Sequence, residues 1–176
     1  MPNPRSPYAR SPNAGAEDPL LAALLDSWER NNTILVNLLL AIPEEALQLR
    51  PMESSPSIGE LFAHIDYVRL VFVSEDAPEF AAPVPDEWVA VHDRDRLAKM
   101  LNESASIVAE AVRGRLQAGR QMDLHYDHPI LMLQHMIWHE GYHHGQIKLT
   151  LKLRGQALAN QDIGPLTWSV WMKKTK

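Results

Sequence analysis

The chain has 176 residues, of which 45% are hydrophobic and 22% charged, with a formal net charge of −5. That length fits one domain with a core large enough to fold without staples, and the acidic balance provides no basic face for nucleic acid. Cys is absent, which excludes disulfides, thiolate metal ligands and a cysteine nucleophile and fits a cytoplasmic protein; no charge-free run of about 18 apolar residues offers a membrane span.

Residues 1–17 are rich in Pro, Ser and Asn and are expected to form a disordered leader, with one helical domain over 18–176. Asp18 as N-cap and Pro19 at the first helical position predict a helix start. Leu21, Leu24, Leu25, Trp28 and Leu35 form its apolar stripe, and Pro43 ends it. Residues 43–56 read as irregular. Ser57 and Glu60 then make a capping box, followed by a second helical stripe of Ile58, Leu61, Ile65, Val68 and Phe72. A link over 74–92 carries Pro78, Pro83 and Pro85. A third helix is predicted over 93–116, with Leu97, Met100, Leu101, Ile107, Val108 and Val112 facing the core. A fourth is predicted from Asp127, with Pro129 in its first turn, to near Gly155. The remaining tail offers Trp168 and Trp171 for packing against the body.

Four helices without a strand pattern predict an all-α fold, a four-helix bundle. Roughly 19 residues join the second and third helices, enough for a long crossover connection that returns the chain parallel.

The fourth helix carries the chemistry. His139 and His143 are spaced i, i+4, so both imidazoles lie on one side of the helix and can grip one metal ion. His135 continues the same ridge one turn earlier, where it can exchange with a ligand or simply face the core. His144 points about 100° away from His143. The best third ligand is His64, set mid-helix beside Leu61, Ile65 and Val68, where an unpaired imidazole is costly to bury. His92, His125 and His128 fall in links or at a helix start and read as solvated. Three neutral imidazoles with water completing the shell make an open, catalytic type of site. The ligand type suits zinc, nickel, copper or iron equally. Gln146, one turn beyond His143, is a candidate for orienting a ligand or bound water.

Residues 139–143 also match the HExxH protease pattern, with Glu140 as general base. The extended form of that motif needs a glycine and a histidine where this chain has Gln146 and Leu149. No Glu follows Glu140, and Asp162 is the only later side-chain carboxylate. The protease reading is therefore disfavoured.

The stretch WHEGYHHGQIKLTLKLRG resembles the signature of the DinB-like (damage-inducible) superfamily, which often reads H-x-x-x-H-R-G-Q before an apolar helix end. LRPMESSPSIGELFAHIDYVR is similar to that family's second helix, where a His supplies the remaining ligand. LLDSWERNNTILVNLLLAIPEEAL is similar to its first. The resemblance spans most of residues 18–172. It implies a four-helix bundle of unusual crossover topology, a divalent metal on His64, His139 and His143, and frequent homodimers. His144 departs from the pattern, since the family often has Arg there.

Characterised members of the superfamily include transferases and isomerases that use a low-molecular-weight thiol. With no Cys in the protein, a thiol must come from a cofactor or a substrate. The expectation is a metal-dependent enzyme acting on a small molecule, either a thiol-dependent transferase or a hydrolase using metal-bound water. The metal is zinc or nickel first, then iron or manganese. The alternative is a non-catalytic, stress-associated metal-binding bundle. Glu140, His135 and Gln146 are expected around the ligands, with Trp138, Tyr67 or Tyr142 lining the pocket. The fourth helix is apolar on more than one face, so a homodimer is expected unless the Trp168–Trp171 tail covers the surplus.

Overall fold

A computed structural model describes residues 18–85 and 91–172, and the expected leader and the basic tail end lie outside them. The described residues contain helices and no strand. The four long helices are α1 (Pro19–Ala41), α2 (Ile58–Asp76), α3 (Arg94–Ala118) and α4 (Pro129–Leu153). Two short helices follow, α5 (Asn160–Ile163) and α6 (Trp168–Met172), in the segment expected as a plain tail. No helix among the described residues is long and apolar enough to cross a membrane.

The helix ends follow from local chemistry. Asp18 caps α1 by accepting from the Leu20 amide at 2.8 Å, and Pro19 takes the first position, where its missing N–H costs nothing. Ser57 and Glu60 complete the capping box of α2: the Ser57 hydroxyl accepts from the Glu60 amide, and the Glu60 carboxylate accepts from the Ser57 amide. Asp93 caps α3, which stops at Gly119 with a left-handed φ of 63°. α4 starts later than the sequence suggested. Its N-cap is His128, whose Nδ1 accepts from the Ile130 amide at 3.2 Å, so this imidazole serves the backbone. The stretch expected as irregular contains a 3₁₀ turn, Glu44–Gln48, which buries Ala46 and Leu47.

The core is divided. One apolar cluster contains Leu35 of α1, Ile65 of α2, Leu101 of α3 and Ile147 of α4. The second contains Trp28, Val73, Val108 and Met136 from the same four helices. Between them each helix contributes buried polar groups: Asn31 and Asn32, Asp66 and Arg69, Ser104, and Glu140 and His143. α1 and α4 pass from the Trp28 cluster to the Leu35 cluster, whereas α2 and α3 pass the other way. A buried polar layer is tolerated only where its groups are paired, and this layer forms the floor of the site.

Candidate metal centre

His64 sits on α2, and His139 and His143 on α4. One ring nitrogen from each lies within 4.8 Å of the others, an arrangement able to hold a metal ion. The His139 and His143 rings are 4.4 Å apart between centroids, with their Nε2 atoms at 3.0 Å. The His64 ring lies 5.0 Å from that of His143 and 5.4 Å from that of His139. A tetrahedral ion with bonds of about 2.0–2.1 Å needs its nitrogens about 3.4 Å apart. The Nε2 atoms of the α4 pair, at 3.0 Å, come near that spacing, and a ring nitrogen of His64 lies within 4.8 Å of one from each.

Protonation suits a metal as well. Burial pushes His139 down to about 4, helped by repulsion from His143, His64, His135 and Arg69. Burial also lowers His64 and His143 below the ordinary imidazole range. All three are therefore neutral at pH 7 and carry a lone pair to give. For His143 the geometry selects which nitrogen gives it. Its Nδ1 donates to Gln146 Oε1 at 2.7 Å, and Gln146 Nε2 in turn donates to the Tyr142 hydroxyl at 2.9 Å. An amide oxygen only accepts, so the His143 proton is held on Nδ1 and Nε2 is left open.

The other histidines are placed apart from this group. His135 is bonded through Nδ1 to the Tyr126 hydroxyl at 2.6 Å. Burial and the Asp76 carboxylate push Tyr126 up to about 12. The phenol therefore keeps its proton, and its bond occupies the Nδ1 of His135. His144 turns to the other side of α4, into a cavity of about 260 Å³ bordered by Ile137, Gly141, Thr167, Trp168 and Trp171. His125 bonds Asp76 at 2.8 Å, which fixes a loop and leaves no ring nitrogen in the triad.

Glu140 faces away from the histidines. It is 1% exposed, and its two carboxylate oxygens accept from Arg69 Nε at 2.6 Å and Nη2 at 2.9 Å, with Asn31 Nδ2 adding a further bond. Arg69 also donates through Nη1 to Asn32, to the Leu101 carbonyl and to Ser104, and stacks 4.8 Å from the Trp28 ring centroid. A carboxylate engaged in this way is unavailable as the general base that the HExxH pattern requires, and the protease reading falls with it. Sequence reasoning missed Arg69, Asn31 and Asn32. The available signal was a lone Arg in the apolar run Val68–Phe72 and an Asn pair set between Trp28 and Leu35 of the apolar stripe.

Tyr142 borders the triad, its ring 5.2 Å from that of His143, and stacks with Trp138 at 6.5 Å. Both aromatics are exposed, and Tyr67 is half-buried on α2.

A family model described as DinB family matches residues 16–171. The chain belongs to the DinB family. No curated protein and no solved structure matches it. DinB membership is consistent with the all-helical fold, and it leaves the reaction open.

Proposed function

We propose that His64, His139 and His143 bind one divalent metal ion, zinc or nickel before iron or manganese, and that the centre serves a metal-dependent enzyme. The observation that carries this reading is the convergence of three neutral imidazoles from two helices, one of them oriented by Gln146. A divalent cation supplies Lewis acidity there, lowering the pKa of a thiol or water. The protein's part is to keep the three imidazoles unprotonated, to hold His143 in one tautomer, and to present the aromatic edge of Tyr142 and Trp138 beside the open positions. A small-molecule substrate and a low-molecular-weight thiol cofactor fit a chain that has no cysteine of its own. The reaction class is a thiol-dependent transferase, or a hydrolase.

The same proposal includes a four-helix bundle with a crossover between α2 and α3. Its support is the order of the two apolar clusters, which is shared by α2 and α3 and reversed in α1 and α4. It also includes a cytoplasmic homodimer. α6 packs on α1, and a cavity lies between its tryptophans and Ile137, Glu140, Gly141 and His144 of α4. Leu131, Trp138, Tyr142, Leu149 and Leu153 stay exposed along a neighbouring stripe.

Elemental analysis of the purified protein, followed by turnover assays with small electrophiles plus glutathione, bacillithiol or mycothiol, tests the reading. Bound metal with thiol-dependent turnover supports the transferase, and thiol-independent hydrolysis supports the hydrolase. Bound metal without turnover of any substrate supports the non-catalytic metal-binding role instead.

A further inference from the structure

Arg69 and Glu140 are both fully buried, and their bonds reach all four long helices. Glu140 is on α4, Asn31 and Asn32 on α1, and Leu101 and Ser104 on α3. Stability alone gives a weak reason for such a pair. Burying two charges is expensive, and an apolar pair of similar volume is often as stable or more so. The flanking layers are already apolar, so an apolar replacement has suitable neighbours on both sides.

What apolar contact does not supply is register. It is non-directional, and helices packed through it alone can slide. A bidentate guanidinium–carboxylate fork fixes two bonds and a plane at once. Its position gives that constraint a use. Glu140 directly follows His139, and Arg69 lies five residues beyond His64, about 7.5 Å along the helix. His139 and His143 hold their spacing through α4 itself, whereas His64 arrives from α2. A slip of α2 on α4 by one residue moves His64 by about 1.5 Å. Metal–ligand distances tolerate only about 0.2 Å.

We infer that the Arg69–Glu140 pair is a positioning device that sets the register of α2 on α4 and so delivers His64 to His139 and His143. Its consequence for metal affinity rests on the metal reading above; its geometric part does not.

The test replaces both charges in Arg69→Met/Glu140→Met and reads two quantities. The first is ring-to-ring nuclear Overhauser contact in metal-free protein with labelled histidines. The second is affinity for zinc, measured by competition with a chelator. The double variant is expected to unfold cooperatively and to keep the His139–His143 contact. It should lose the His64–His143 contact and bind zinc about ten-fold or more weakly. Wild-type contacts together with wild-type affinity overturn the inference. If the double variant fails to fold, Arg69→Lys serves, since it keeps the charge and loses the fork. A weakened His64–His143 contact in it supports the inference, and an unchanged one overturns it. Loss of that contact in a protein that binds no zinc even as wild type leaves the positioning role standing and removes the metal reading.

Discussion

The Nε2 atoms of His139 and His143 lie 3.0 Å apart, and the far nitrogen of His143 is bonded to Gln146. Two neutral imidazoles approach that closely only if one of them donates. Gln146 holds the His143 proton on Nδ1, so His139 must donate to His143 from Nε2 in the metal-free protein. A metal ion that takes both Nε2 lone pairs requires the His139 proton to move to Nδ1, so binding to this neutral pair at neutral pH shifts a tautomer and releases no proton.

His139→Ala removes one of the three proposed ligands. Purified variant protein should lose most of its bound metal by elemental analysis while keeping its helical circular dichroism. Unchanged stoichiometry would contradict the assignment.

Gln146→Leu tests tautomer control. The variant frees the His143 proton to occupy either nitrogen, and metal affinity should fall by about 10–100-fold. Stability should change far less, because Gln146 is partly exposed. Wild-type affinity in a chelator competition would show that Gln146 does not act on the ligand.

Acid should weaken the metal-free fold over a defined range. His139 titrates near 4 in the folded protein, against an ordinary value of 6.5. Between those values the unfolded chain binds protons that the folded chain refuses, so unfolding free energy falls as pH drops from 6.5 to about 4 and levels off below. His64 and His143 shift in the same direction and add to the slope. Denaturant midpoints measured across that range should show it, and His139→Ala should flatten it. Metal affinity should hold lower in pH than it does for ordinary histidines. A loss of metal centred above pH 6.5 would not fit.

Glu140→Ala leaves the Arg69 guanidinium buried without its carboxylate. The loss should be about 3–5 kcal/mol in urea unfolding. A loss below about 1 kcal/mol would mean that water or a rearranged Asn31 replaces the carboxylate without difficulty.

The exposed stripe of α4 should mediate self-association. Leu131, Trp138, Tyr142, Leu149 and Leu153 follow one another at intervals of seven and four residues, which keeps them on one side of the helix. Gly145 lies on this side with nothing within 4 Å of where a Cβ would stand, which permits close approach of a second helix. Sedimentation at micromolar concentration should give a dimer burying on the order of 1,200–2,000 Å². Trp138→Glu with Leu149→Glu should give monomer, and a wild-type monomer would refute the interface.

Local chemistry determined much of this protein. The Asp18 and Ser57–Glu60 caps and the i, i+4 pair of His139 and His143 depend on residues within one or two turns, and the chain order alone displays them. His64 was legible as a candidate, because an imidazole within an apolar stripe needs a reason to be there. The interhelical contacts were decided only by tertiary packing. The HExxH pattern offers Glu140 as a general base; helical geometry already sets it about 100° around α4 from His139, and only packing reveals that Arg69 of α2 meets it there as a buried counter-charge. His135 is likewise a candidate ligand by spacing, and the Tyr126 hydroxyl from a neighbouring loop engages its Nδ1. Whether a polar side chain turns toward a metal or toward the core depends on the groups that other helices bring to it, and helical periodicity carries no information about those groups.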